Sequence, residues 1–300
     1  MDLESFSIAV YCLIDEGLLD LTHEPAWRPV RQRGPAPLLA ASEVLTMEAV
    51  GEFLGLAQDV AIVDYFRRYH PDYFPALAAV HRTTFVRQVA NLWVVKERLW
   101  RVIRDRVLHD PLLSVVDSVP VSVCRYGRSQ RCQRFRGEAA DGYDQGSKAI
   151  FYGFRVHLRP CWPGVLAEVQ VAPANASDLA VAPEVVAGAD GVVLGDRTDW
   201  SPLLRDELHH DGVDLLAPYR HCSEDPQPAF SHDLSRLRWR IETVAAQLVA
   251  RYHLKRIWAR DAWHLTSRIL RKVLSPTIAV CLCRAHGLAP LHLAGLLSPP

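Results

Sequence analysis

The chain has 300 residues, 49% hydrophobic and 23% charged, with zero formal net charge. That composition excludes disorder and allows a large buried core, organised as one domain of about 200 residues with a smaller partner. No apolar run reaches the roughly 18 residues of a membrane span, and MDLESFSIAVYCLIDEG has no basic segment ahead of its apolar stretch, so a cytoplasmic protein without membrane contact is expected.

Residues 1–105 read as helical. ASEVLTMEAVGEFLGL offers Ser42 as a cap, and HRTTFVRQVANLWVVKERLW places Phe85, Val89, Leu92 and Leu99 near one helical face. This region suits DNA binding or dimerisation, and the turn-rich RRYHPDYFPAL between the two segments offers Arg67, Arg68 and His70 to phosphate. From 106 to 290 the pattern changes. A strand at 112–117 precedes a basic loop, and strands at 149–158 and 164–174 flank RPCWPG. Ser177 opens a short helix, VVLGD is a buried strand, SPLLRDELHH a helix and VDLLAPY a strand. Long helices follow at 231–253 and 261–286, and 291–300 is a tail. The order predicts an α/β fold, a mixed sheet with helices on both faces. No G-x-G-x-x-G or P-loop sequence is present.

Seven cysteines, without paired zinc spacings, argue against a disulfide framework or a cysteine-bound metal; Cys281 and Cys283 read as helix packing. The neutral total hides an uneven distribution. Arg236 to Lys272 holds ten basic residues against two acids, whereas Asp178 to Asp233 holds twelve acids against three arginines. A basic surface for nucleic acid is compatible with that asymmetry.

Three carboxylates stand out. Asp117 ends the apolar run LLSVVD, Asp196 ends VVLGD, and Glu242 sits beside the stripe Leu237, Ile241, Val244 and Leu248 of a helix. Turn or helix capping is the alternative for each aspartate, and an ordinary i,i+4 pair with Arg238 the alternative for Glu242. Together, two strand-end aspartates and a helix-borne glutamate can hold two Mg2+ ions, with Mn2+ substituting, about 3.5–4 Å apart for phosphoryl transfer.

The blocks LLSVVDSVPVSVCRYGR, KAIFYGFRVHL, PANASD, VVLGD, RWRIETVAAQL and SRILRKVL occur in the order found in DDE-type transposases of bacterial insertion sequences. The chain resembles that family over nearly its whole length, and most closely insertion-sequence family 982. The resemblance implies a ribonuclease H-like catalytic core with Asp117, Asp196 and Glu242 as catalytic metal ligands, and Arg238 as a positioner of DNA or of the glutamate. It also implies double-stranded DNA, terminal inverted repeats and target DNA as partners, bound by a DNA-dependent homodimer. Asp196 and Glu242 are 46 residues apart, which implies no large insertion domain. Val249 and Ser235 stand where related enzymes often carry a basic residue and a tyrosine.

Further DNA contacts are expected from Arg125, Arg128, Arg131, Arg134 and Arg136, with Tyr126 and Phe135 interleaved for base stacking. Arg155 and His157 share one strand face, and Arg251, Lys255 and Arg256 extend the basic surface towards Arg268, Arg271 and Lys272. Asp178 reads as a helix cap. Structure-selective nuclease activity, or a DNA-binding role without catalysis, would use the same features.

Overall fold

Asp2 caps the first helix by accepting the Ser5 amide at 2.7 Å, and α1 (Leu3–Thr22) buries Phe6, Val10, Ile14, Gly17 and Leu21 along one stripe. The computed structural model describes residues 1–25, 27, 35–196, 201–218 and 228–297, with backbone alone at 228, 229, 231, 237 and 239–241. Tyr219 and the side chains of Leu237 and Ile241, each part of a predicted element, lie outside the described set.

Gly17 sets the approach of α1 to α5 (Trp93–Arg106), since a Cβ there would lie 2.5 Å from Leu99 Cδ1. α2 (Ala41–Phe53) begins ahead of the expected Ser42 cap, because the Glu43 side chain reaches back to accept the Ala40 amide at 2.6 Å. Around α2 pack α1, α3 (Asp59–Tyr69), α4 (Arg82–Asn91) and α9 (Ala262–Ala285), and α9 also lies along α5. The chain thus forms one compact unit from Met1–Val107, Arg251–His253 and Ile257–Pro300, and a second from Leu108–Ala250 with Leu254–Arg256.

The position of α9 departs from the expected division at 106–290, and buried ion pairing gives the reason. Lys96 Nζ meets Glu48 Oε1 at 2.8 Å; Arg271 meets Glu52 Oε1 at 2.7 Å and Asp59 Oδ1 at 2.6 Å; Lys272 meets Glu52 Oε2 at 2.8 Å. These side chains are at most 2% exposed. Arg271 and Lys272 therefore balance buried acids and are not part of a DNA-facing surface, and Arg268 pairs with Asp59 at 2.6 Å. The tail residues 291–297 are packed, since Leu293 and Leu296 are buried and the N-terminal ammonium donates to the Leu296 carbonyl at 2.9 Å.

The second unit is built on one long strand, β4 (Ala149–Trp162). One edge pairs antiparallel with β2 (Asp117–Arg125) and then β1 (Asp110–Val115); the other pairs with β3 (Ala140–Asp144) and β5 (Val165–Pro173). β1 pairs parallel with β6 (Gly191–Leu194), and β6 with β7 (Val213–Leu216). β2 and β3 occupy what reads in the sequence as one basic loop. Val119 and Val121 point into the core at alternate positions and override the turn signal of Ser118 and Pro120.

Helices cover both faces of this mixed sheet. Val116, Ala172, Val193, Val213 and Leu215 pack with Val181 and Val185 of α6 (Asp178–Val186) and with Leu204 and Leu208 of α7 (Pro202–His210). Val115 and Leu194 pack with Leu234 of α8 (Pro228–Ala250) on the other side. Neighbours 115 and 116 thus serve opposite layers, as the two-residue period of a strand requires. No described helix is long and apolar enough to cross a membrane.

Candidate active site

β1 and β6 run parallel with Leu113 opposite Val192, Ser114 opposite Val193 and Val115 opposite Leu194. The Val116 amide extends the ladder to the Leu194 carbonyl at 2.9 Å, and Gly195 donates to Leu216 at 2.9 Å. Asp117 and Asp196 each follow two residues after the last registered pair, so they leave neighbouring parallel strands at the same level. Asp117 does not end a strand, as expected from the sequence, but opens β2 where pairing passes to Leu158 of β4.

The side chain of Asp117 is half-buried. Burial raises its carboxyl to about 6, opposed by the Ser118 amide, which donates to Oδ1 at 2.8 Å, and by Arg238. Glu242 and Asp196 both push it further up, which puts all three acids within electrostatic reach of one another. Glu242 is exposed on α8 and stands 3.6 Å from Arg238, whose side chain is largely buried. Among the described residues no three His, Cys, Asp or Glu side chains converge closely enough to hold one ion. The fit to hard divalent cations lies in the donor set, oxygen only, and in the mutual repulsion by which Glu242 and Asp196 act on Asp117.

Not every expected DNA contact is available. Arg155 donates to Ser118 Oγ at 3.2 Å, to the Tyr143 carbonyl at 2.8 Å and to the Ala174 carbonyl at 3.4 Å, tying β2, β3 and the turn before α6 together. His157 is buried, its Nδ1 3.4 Å from Asp178 Oδ1. Burial lowers its pKa despite Asp178, so it is a neutral interior imidazole at neutral pH. Ser177, not Asp178, caps α6, accepting the Ala180 amide at 3.2 Å. Lys255 pairs with Asp144 at 3.1 Å, and Arg251 lies 4.1 Å over the Phe53 ring. Arg67 is spent on the carbonyls of Leu77 and Val80. Arg256 is exposed.

The five loop arginines, Arg125, Arg128, Arg131, Arg134 and Arg136, are all exposed. β2 carries the first of them, Arg125, away from Asp117, eight residues along a strand or roughly 25 Å, while Phe135 returns the loop to Phe154 of β4. Phe135 is buried edge-on against Phe154, with centroids 5.2 Å apart, so it is not available to stack a base; Tyr126 is 51% exposed. Ser118, which touches both Asp117 and Arg155, escapes the sequence reading, and only its adjacency to the acid could have marked it.

Residues 110–260 match the family described as transposase DDE domain. No curated protein and no solved structure matches the chain. The matched span contains Asp117, Asp196 and Glu242 and covers half of the chain, and the chain belongs to the transposase DDE domain family.

Proposed function

We propose that this transposase cleaves DNA strands at the ends of an insertion sequence, of the kind numbered 982, and joins the resulting 3′ ends to target DNA. The observation that carries the reading is the common level of Asp117 and Asp196 on two parallel strands, with Glu242 of α8 acting on the same half-buried carboxylate. The path β5, β4, β1, β6, β7, with its first pairings antiparallel and its last two parallel, supports a ribonuclease H-like catalytic core. Residues of the helical unit would then serve end recognition and dimerisation on terminal inverted repeats.

In this mechanism Asp117, Asp196 and Glu242 would hold two Mg2+ ions, for which Mn2+ would substitute. When bound, the ions would activate the attacking water or 3′-hydroxyl and stabilise charge on the leaving oxygen and phosphorus. Arg238 holds Glu242 in place from one helical turn away. The exposed loop arginines grip backbone phosphate.

The test is Mg2+- or Mn2+-dependent cleavage and joining on labelled DNA carrying the element's own ends. Asp117→Asn should lose more than about a hundredfold in joined product, since even outer-shell partners of metal ligands cost 10–100-fold. DNA binding by a folded wild type that neither cleaves nor joins would replace this reading with a DNA-binding protein lacking catalysis, and cleavage without joining would indicate a nuclease.

A further inference from the structure

The segment leading into α9 turns Ile257 and Ala259 inward, 8% and 5% exposed, and leaves Trp258 outward at 67%. Arg260 is exposed too, so Trp258 and Arg260 share the outward positions of an alternating pattern. On the first turn of α9, Trp263 is 45% exposed. All three belong to the helical unit. Large aromatic side chains grouped on a surface mark interaction sites more often than isolated exposed apolar residues do.

The local charges select the partner. Asp261 lies among these residues, but its carboxylate is turned back onto α9, accepting the His264 amide at 2.9 Å and meeting His264 Nδ1 at 2.8 Å. Arg260 makes no ion pair among the described residues. This stretch therefore presents two exposed indoles and an exposed guanidinium, with Asp261 engaged on His264, the combination that accepts bases by stacking and backbone phosphate by charge. In the arginine loop of the sheet unit Phe135 is buried and Tyr126 is the one of its two interleaved aromatics left exposed.

We infer that Trp258, Arg260 and Trp263 form a stacking platform for unpaired bases at a DNA end, with Arg260 on the adjoining phosphate. The inference rests on DNA being the substrate, and it adds a preference for unpaired over fully paired ends. Bases inside a duplex are already stacked, so only a frayed or single-stranded end can occupy the indoles.

The experiment is fluorescence anisotropy with the full chain in metal-free buffer. The probes are a labelled blunt duplex and the same duplex with a short thymine overhang. Wild type should bind the overhang probe more tightly. Trp258→Ala should weaken that binding about tenfold while changing the blunt probe less than about twofold, and Trp258→Phe should keep most of the affinity. Arg260→Ala should weaken both probes and lower the salt slope by about one. These side chains are exposed, so the variants should fold. Unchanged overhang binding in Trp258→Ala, or an equal loss on both probes, would overturn the inference. So would a change of oligomeric state with overhang binding intact, which would assign the face to a protein partner. No cleavage is read here, so failure leaves the Asp117 test untouched; retained overhang preference beside absent strand joining would count against the transposase mechanism alone.

Discussion

Arg155 has the chemistry of a DNA contact and the bonding of a brace. Its guanidinium reaches three acceptors on three chain segments, one of them Ser118 Oγ, and the Ser118 amide holds Asp117 Oδ1. A lysine would preserve the charge but, as a point ammonium, could not span that fork. Arg155→Lys should therefore lower kcat for cleavage about 10–100-fold, as loss of an outer-shell partner does, while DNA affinity and its salt slope stay unchanged. A weakened Kd with a salt slope smaller by about one would instead make Arg155 a phosphate contact. The alternation of Phe154, Arg155, Val156 and His157 in the sequence tells correctly that Arg155 and His157 share a face. It does not tell whether that face meets water or a helix, and α6 covers it, with Asp178 against His157. The acids are easier to single out as candidates, because a carboxylate closing an apolar run is conspicuous wherever the partner strand lies.

At the scale of elements, β2 and β3 are what the sequence conceals. Pro120, Ser122 and Gly142 each weaken a strand signal, and β2 exists because β4 supplies a partner from Asp117↔Leu158 to Arg125↔Phe151, with one shift of register between Ser122 and Cys124. The consequence is functional, since β2 puts Arg125 at the opposite end of the strand from Asp117. Gly153 of β4 permits this pairing: an added Cβ would lie 2.2 Å from the Val121 carbonyl oxygen and 3.0 Å from the Val123 nitrogen. Both obstacles are backbone, so neither can yield by a change of rotamer. Gly153→Ala should cost about 3 kcal/mol, the upper range for overpacking, and should lower cleavage by displacing the strand that begins at Asp117. Urea denaturation beside a cleavage assay checks it, and a variant as stable as wild type would mean that β2 pairs with β4 more loosely than described.

For the whole molecule, the decisive feature is how a chain that passes through the sheet unit returns to complete the helical one. Arg271 of α9 bonds Glu52 across 219 residues and Asp59 across 212. In the sequence, Arg268, Arg271 and Lys272 look like any basic helix face, because periodicity cannot distinguish a solvated charge from one whose partner lies far along the chain. The helical character of the N-terminal region was legible; its completion by α9 was not. The ion pairs also set the unit's response to acid. Burial alone would raise Asp59, but Arg271 and Arg268 outweigh it and lower the carboxyl from 3.8 to about 2. A folded pKa below the unfolded value means that this group's contribution, about 2 kcal/mol, is fully present above pH 4 and lost as pH falls through the folded value. Hydrogen exchange of the α2 and α9 amides should therefore accelerate between about pH 4 and about pH 2, after correction for intrinsic rates. Asp59→Asn should flatten that dependence, because asparagine takes up no proton in this range. An equally steep slope in the variant would place the acid response on other carboxylates and leave Asp59 as a paired but thermodynamically silent member of the network.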